Sequence, residues 1–100
     1  MFKFQTIYAI TEFECGRLKP IKLKLLANSK ILKIEYDRTD YKNICHLSIL
    51  VEINIDQIKD QSEYTLGIFT DQEKVSNSYF YINSFKDDTN SEYHVCLLRE

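Results

Sequence analysis

The chain has 100 residues, a hydrophobic content of 44% and a formal net charge of −2 at pH 7. This length and composition are typical of one globular domain, so we expect residues 1–100 to form a single unit. No apolar run is long enough to span a membrane, the N-terminus lacks the pattern of a secretion signal, and the overall basic balance typical of nucleic-acid binding is absent.

A period-two alternation of bulky apolar and polar residues runs through most of the chain. In chain order it predicts strands at Phe2–Ile10, Ile21–Leu25, Leu32–Tyr36, Ile44–Ile53, Tyr64–Ile68, Ser78–Phe85 and Tyr93–Leu97. This alternation is typical of half-buried antiparallel strands, and the polar clusters between them indicate turns. Only Ile55–Lys59 has the spacing of a short helix. The bulkier face of the strands predicts a core that includes Phe4, Tyr8, Leu23, Leu47, Ile49, Val51, Ile68 and Phe80.

The stretch from Tyr8 to Pro20, YAITEFECGRLKP, contains one of the two glycines and the only proline. Gly16 permits the positive φ that a sharp turn out of the first strand requires. Pro20 has no amide hydrogen, which suits the entry to the next strand and ends a ladder there. These two residues therefore predict a shaped excursion between the first two strands.

The same stretch resembles the opening of the third domain of bacterial elongation factor Tu. That domain begins with Tyr-x-Leu-Thr, then a Glu, Gly-Gly-Arg and a Pro, and the chain matches it except that Ile10 stands for the Leu and Cys15 replaces the first glycine. Ile44–Ile53 is similar to the domain's fourth strand, and residues 63–82 to its closing hairpin. The resemblance implies an all-β fold: a single six-stranded antiparallel β-barrel over about residues 2–82, with an extra edge strand within the C-terminal extension, about residues 83–100.

The three cysteines are widely spaced, form no CxxC pair and are odd in number. A disulfide scaffold would need more cysteines in even number, so we predict a reducing, cytoplasmic location. Cys45 and Cys96 are expected to be small apolar core residues, and His46 and His94 surface residues.

The sequence contains no pattern that indicates catalysis. His94 and Cys96 share a face of their strand, but no further ligands stand at a zinc-like spacing. Cys15 lies beside Arg17, yet no nucleophile motif surrounds it. We therefore expect no enzymatic activity, no metal, no cofactor and no small-molecule substrate.

A basic strip covers residues 17–33, which hold six basic residues and no acidic one. Its candidate phosphate-binding residues are Arg17, Lys19, Lys22 and Lys24. Such a strip can bind nucleic acid, and a translation-related RNA- or nucleic-acid-binding β-barrel is therefore the alternative function. The strip can equally protect an edge strand against aggregation.

The second half of the chain is acidic, with thirteen acidic and six basic residues from Glu35 onward. A domain without a catalytic constellation acts through its surface, so the first expectation is a non-enzymatic protein-binding module. Its sharper form is a toxin-neutralising or immunity-type protein, because an acidic surface can be steered to a basic toxin. The candidate contacts are Asp37, Asp40, Tyr41, Tyr64, Asp71, Asp87 and Asp88.

Overall fold

The computed structural model describes residues 1–56 and 60–99. Its strands are β1 (Phe2–Glu14), β2 (Arg17–Leu18), β3 (Ile21–Leu26), β4 (Lys30–Thr39), β5 (Ile44–Asn54), β6 (Gln61–Phe69), β7 (Tyr79–Lys86) and β8 (Glu92–Leu98). Every predicted strand is present, and the two-residue strand β2 is additional. No helix occurs within the described residues, and part of the predicted helix Ile55–Lys59 lies outside them.

The strands form two antiparallel four-stranded sheets, with the orders β2-β1-β5-β4 and β3-β6-β8-β7. The inner faces of the two sheets pack together around Ile34, Leu47, Ile49, Val51, Leu66 and Val95. The predicted all-β antiparallel fold is confirmed. Backbone pairing among the described residues leaves two sheets, one of them a half-barrel, rather than one closed ring of strands.

The C-terminal strand β8 lies inside its sheet, so the prediction of an added edge strand is wrong. Leu66 to Phe69 of β6 pair with one side of β8, and β7 pairs with the other side. The long connection over residues 70–78 separates β6 from β7 far enough for β8 to enter between them. β7 is therefore an edge strand, and β8 holds the sheet together.

The core confirms part of the prediction and corrects the rest. Leu47, Ile49, Val51 and Ile68 are buried and Leu23 is half-buried, whereas Phe4, Tyr8 and Phe80 are exposed. Phe80 stands outside the core, and the guanidinium of Arg99 lies 5.1 Å from the centre of its ring.

The outward orientation of Phe4 and Tyr8 follows from how β1 pairs with β5. Ile7 is opposite Ile49 and Ala9 is opposite Leu47. Directly opposed side chains lie on one face of a sheet, and the odd-numbered residues of β5 are its buried ones. The odd-numbered residues of β1 must therefore face the core, and its bulkier even-numbered residues face outward.

One side chain joins the two sheets where β4 and β7 run side by side. The side-chain oxygen of Asn83 accepts a hydrogen bond from the Ile34 amide at 3.0 Å, and its side-chain nitrogen donates to the Ile34 carbonyl at 2.8 Å. A register shift in β7 between Tyr81 and Asn83 leaves Ile82 without a cross-strand partner, while Asn83 itself pairs with Val95 of β8. Asn83 thus takes the place of a backbone partner for β4.

Candidate functional site

The outer face of β1 exposes four large apolar side chains. We call Phe2, Phe4, Thr6, Tyr8 and Ile10 the β1 strip. The apolar members are exposed by 60% for Phe2, 67% for Phe4, 78% for Tyr8 and 61% for Ile10. A contiguous exposed patch of large apolar side chains marks an interaction site, whereas single exposed apolar residues are ordinary.

The backbone of β1 also has one side that no described strand covers. The Ile55 amide donates to the Met1 carbonyl, and the Phe13 amide donates to the Asn43 carbonyl. In an antiparallel ladder the residues that bond to a given neighbour alternate with residues that point away from it. Odd-numbered residues of β1 therefore bond to β5, and even-numbered ones point to the opposite edge.

That opposite edge is occupied only at the C-terminal end of β1. The Lys19 amide donates to the Glu12 carbonyl, the Thr11 hydroxyl donates to the Lys19 carbonyl, and β2 pairs with Phe13 and Glu14. From Phe2 to Ile10, the even-numbered amides and carbonyls have no backbone partner among the described strands. We call this segment the free edge.

The free edge differs from β3, one of the two edge strands of the other sheet. β3 lies at the edge of its sheet and exposes Lys22 and Lys24, an arrangement that discourages pairing with another chain. Between residues 2 and 10, β1 carries a single charged side chain, Lys3. The structure therefore protects the β3 edge with charge and leaves the β1 edge both apolar and open.

Two of the predicted protein-binding aspartates organise their own turns. Asp40 accepts hydrogen bonds from the Lys42 and Ile44 amides, at 2.9 and 3.1 Å, and bonds to His46 at 3.0 Å. The hydrogen bond to His46 holds the pKa of the Asp40 carboxyl below its usual value, assisted by those amides and opposed by partial burial. In the turn after β7, the Asp87 carboxylate accepts hydrogen bonds from the Thr89 and Ser91 amides.

Four of the remaining predicted contacts lie in three places. Asp37 and Asp88 are exposed on neighbouring strand ends, where the Tyr36 hydroxyl donates to Asp88 at 3.1 Å. Tyr41, at the tip of the β4–β5 turn, is 90% exposed. Tyr64 is half-buried in the middle of β6 opposite Leu23, so it does not join the acidic turns.

Asp71 belongs to a cluster that the sequence did not indicate. His94 bonds to Asp71 through one ring nitrogen, and its other ring nitrogen lies 2.7 Å from the Ser84 hydroxyl. Glu92 is close enough that one ligand atom from each of Asp71, Glu92 and His94 falls within 4.8 Å of the others. The connection over residues 70–78 places Asp71 beside β8, a juxtaposition that strand periodicity does not predict.

The basic strip is partly neutralised by its neighbours. Arg17 forms an ion pair with Glu73 at 2.6 Å, and Lys19 forms ion pairs with Glu12 at 2.7 Å and Glu14 at 3.0 Å. These hydrogen-bonded carboxylates raise the pKa of Lys19. The four predicted phosphate-binding residues are therefore divided between an ion-paired loop and the exposed face of β3.

The three cysteines are free, with Cys15 exposed and Cys45 and Cys96 buried. Burial raises the pKa of Cys45 to about 11, with a smaller contribution from Asp87, and burial also raises the pKa of Cys96. The predicted core position of both thiols is confirmed. Cys15 precedes Gly16 in the turn after β1, and both residues have a positive φ, 54° and 77°.

Comparison with known proteins found no matching family model, curated protein or solved structure. In the described part of the chain, no helix has the length and apolar character needed to cross a membrane. The site is consequently interpreted from its own geometry.

Proposed function

We propose that this chain is a non-enzymatic protein-binding module whose binding surface is the outer face and free edge of β1. The observation that carries the proposal is the coincidence of an exposed apolar strip and an unpaired backbone edge on one strand. A fitting partner is an extended protein segment with apolar side chains at alternate positions. Its backbone would add a strand to the sheet, and its outward side chains would cover the β1 strip.

The proposal is supported by the chemistry of the edge itself. Main-chain hydrogen bonds provide affinity in strand addition, and the side chains on one face provide selectivity. The even-numbered residues of β1 offer both, since they carry the free amides and carbonyls as well as the apolar side chains. A cytoplasmic location is part of the proposal, because free thiols are typical of reducing compartments.

The test compares proteins captured from a lysate by three forms of the chain. The double variant Phe4→Lys/Tyr8→Lys places charge on the β1 strip, and Tyr41→Lys is the matched control, since Tyr41 is an exposed aromatic residue in the distant β4–β5 turn. We expect captured proteins to be lost with the double variant and retained with the control. Identical captured sets for all three forms, or none with the wild type, would contradict the proposal.

A toxin-neutralising role is the more specific form of this proposal, and its support is the pair of exposed carboxylates Asp37 and Asp88. Reversing their charge is the sharper test, because Asp40 and Asp87 hold turns and their replacement would alter the fold. For a basic toxin, Asp37→Lys/Asp88→Lys should slow association, and the difference should shrink as salt increases. Unchanged association would remove the acidic form of the proposal and leave the β1 surface untouched.

Kinship with the third domain of elongation factor Tu is also part of the proposal. Its support is local: Gly16 adopts the positive φ expected of the motif, and β3 begins directly after Pro20. This kinship would explain the shape of the turn between β1 and β3 and would imply no GTP hydrolysis by the chain.

A further inference from the structure

We infer that the strand occupying the free edge is β1 of a second copy of the chain, paired antiparallel about a two-fold axis through Thr6. The inference rests on the proposed function, because that function places the binding surface on β1. To that function the inference adds the identity of one partner, a second copy of the chain, and the register in which the two β1 strands pair. The resulting dimer would join two four-stranded sheets edge to edge.

The register follows from which backbone groups are free. About a two-fold axis through Thr6, Phe2 lies opposite Ile10 of the other copy, Phe4 opposite Tyr8, and Thr6 opposite itself. All of these residues are even-numbered, so each opposed pair can exchange both of its free amide and carbonyl groups. Every backbone group of the free edge then has a partner.

Other symmetric registers use the edge less completely. An axis through Phe4 leaves Tyr8 and Ile10 without partners. An axis through Tyr8 drives the second strand against Lys19, whose backbone already bonds to Glu12 and Thr11. An axis through Gln5 also opposes even-numbered residues, but it leaves Ile10 without a partner. An axis through Ile7 sets Phe2 opposite Glu12, whose carbonyl already accepts from the Lys19 amide. Thr6 is thus the centre that the free edge favours.

The side chains are compatible with the same register. Opposed residues share a face, so Phe4 of one copy packs beside Tyr8 of the other, and Phe2 beside Ile10; aromatic and β-branched pairs of this kind stabilise antiparallel strands. Lys3, the only charged residue of the segment, lies opposite Ala9. No like charges are opposed within the paired segment.

The surface on offer fits a weak dimer. With about 200 Å² for a large side chain, the 60–78% exposure of the apolar strip residues corresponds to ~500 Å² per copy. Two copies present ~1,000 Å² before their backbones are counted, against roughly 1,200–2,000 Å² for a stable specific interface. Edge pairing covers only part of each side chain, so we expect dissociation at roughly micromolar concentration.

Disulfide trapping tests the register. In a Cys15→Asn background, which removes the exposed thiol at a positive φ that asparagine tolerates, Thr6→Cys should form a covalent dimer on mild oxidation. Opposed residues of a hydrogen-bonded pair have Cα atoms about 5.5 Å apart, within disulfide range. In the control Phe4→Cys, the two cysteines would be displaced by four residues, ~14 Å along the strand, and should not cross-link. Equal cross-linking of both variants would overturn the register.

Proline substitution tests the edge. Thr6→Pro removes an amide that points to the free edge, so sedimentation at 10–500 μM should show a monomer with an unchanged far-UV spectrum. Thr6→Lys, which opposes two lysines at the axis, should give the same result if proline disturbs the strand. Ile7→Pro is the control that removes a β1–β5 bond and should destabilise the fold. A wild type that stays monomeric over this range, or a dimer that survives both Thr6 variants, would overturn the inference.

The two proposals can fail separately. If the wild type is monomeric but Phe4→Lys/Tyr8→Lys loses its captured proteins, the proposed function stands and the second-copy inference is wrong. If the Thr6→Cys variant cross-links but the proteins captured by the wild type are also captured by Phe4→Lys/Tyr8→Lys, the dimer stands and binding of other proteins through β1 is wrong.

Discussion

Replacing Asn83 with alanine should lower the free energy of unfolding by weakening the seam between the two sheets, that is, the contact between β4 and β7 that Asn83 makes. The change removes both hydrogen bonds to Ile34, a residue that is only 1% exposed, and leaves its amide and carbonyl unpaired. An unpaired buried polar group costs about 1–3 kcal/mol, or about 2–6 kcal/mol for two. Asn83 is itself half-buried, so water can reach the vacated position and keep the loss near 2–3 kcal/mol.

The loss is best measured by urea denaturation followed by far-UV circular dichroism, with wild type and Asn83→Ala compared at one pH. A decrease of 2–3 kcal/mol corresponds to a fall in Tm of roughly 10–20 °C for a domain of this size. Asn54→Ala is the control, because its side chain accepts one hydrogen bond from the exposed Asp56 amide, and it should cost less than about 1 kcal/mol.

Hydrogen exchange adds a local readout of the same seam. The Ile34 amide donates to the Asn83 side chain. Its protection from exchange should therefore fall in Asn83→Ala by more than the protection of β5 amides, which bond to β1 or β4. If Asn83→Ala is as stable as the wild type to within about 0.5 kcal/mol, the seam does not depend on this side chain and the reasoning is refuted.

Three further outcomes follow from burial and charge. Leu47→Ala should destabilise the fold by about 2–5 kcal/mol in urea denaturation, since Leu47 is fully buried, and a negligible loss would contradict the register of β5. A thiol reagent at pH 8 should modify Cys15 rapidly and Cys45 only on unfolding, because burial keeps Cys45 protonated; one fast thiol that persists in Cys15→Ser would contradict this. The pKa of Asp40 is lowered in the folded state. The ionised Asp40 therefore contributes to folding stability above its unfolded-state pKa, and this contribution is lost as the pH falls through its folded-state pKa. Wild type should therefore exceed Asp40→Asn in stability at pH 6, with a difference that shrinks below about pH 4; a constant difference would show that the carboxylate charge is not involved.

The sequence was sufficient for the strands and their turns because alternation is a local property. Gly16 and Pro20 placed the turn after β1 correctly, and the long alternating run of β5 predicted its buried face. Alternation does not show which of two faces meets the core when both carry apolar residues. For β1 that choice is made by β5, more than thirty residues away, and it turns the bulkier face outward.

The same limit applies to the candidate site, which the sequence predicts in the acidic turns. Aspartates in turns are visible in a sequence, but their hydrogen bonds to nearby amides, as at Asp40, are seen only in the folded chain. The signal for β1 was present as four large apolar residues at even positions with one intervening charge. An apolar strand face is usually buried, so this pattern predicts a core position for residues that the fold exposes.

The central position of β8 has a consequence for the order in which the chain can fold during its synthesis. Among the described residues, backbone pairing joins β6 to β7 only through β8, so the backbone ladder of the second sheet stays in two pieces until β8 has been made. β1 likewise waits for β5 while residues 15–43 are added, an interval of roughly 1.5–6 s at ordinary translation rates. A truncated chain that ends before Glu92 should therefore hold the β1–β5–β4 ladder, while β6 and β7 remain unjoined.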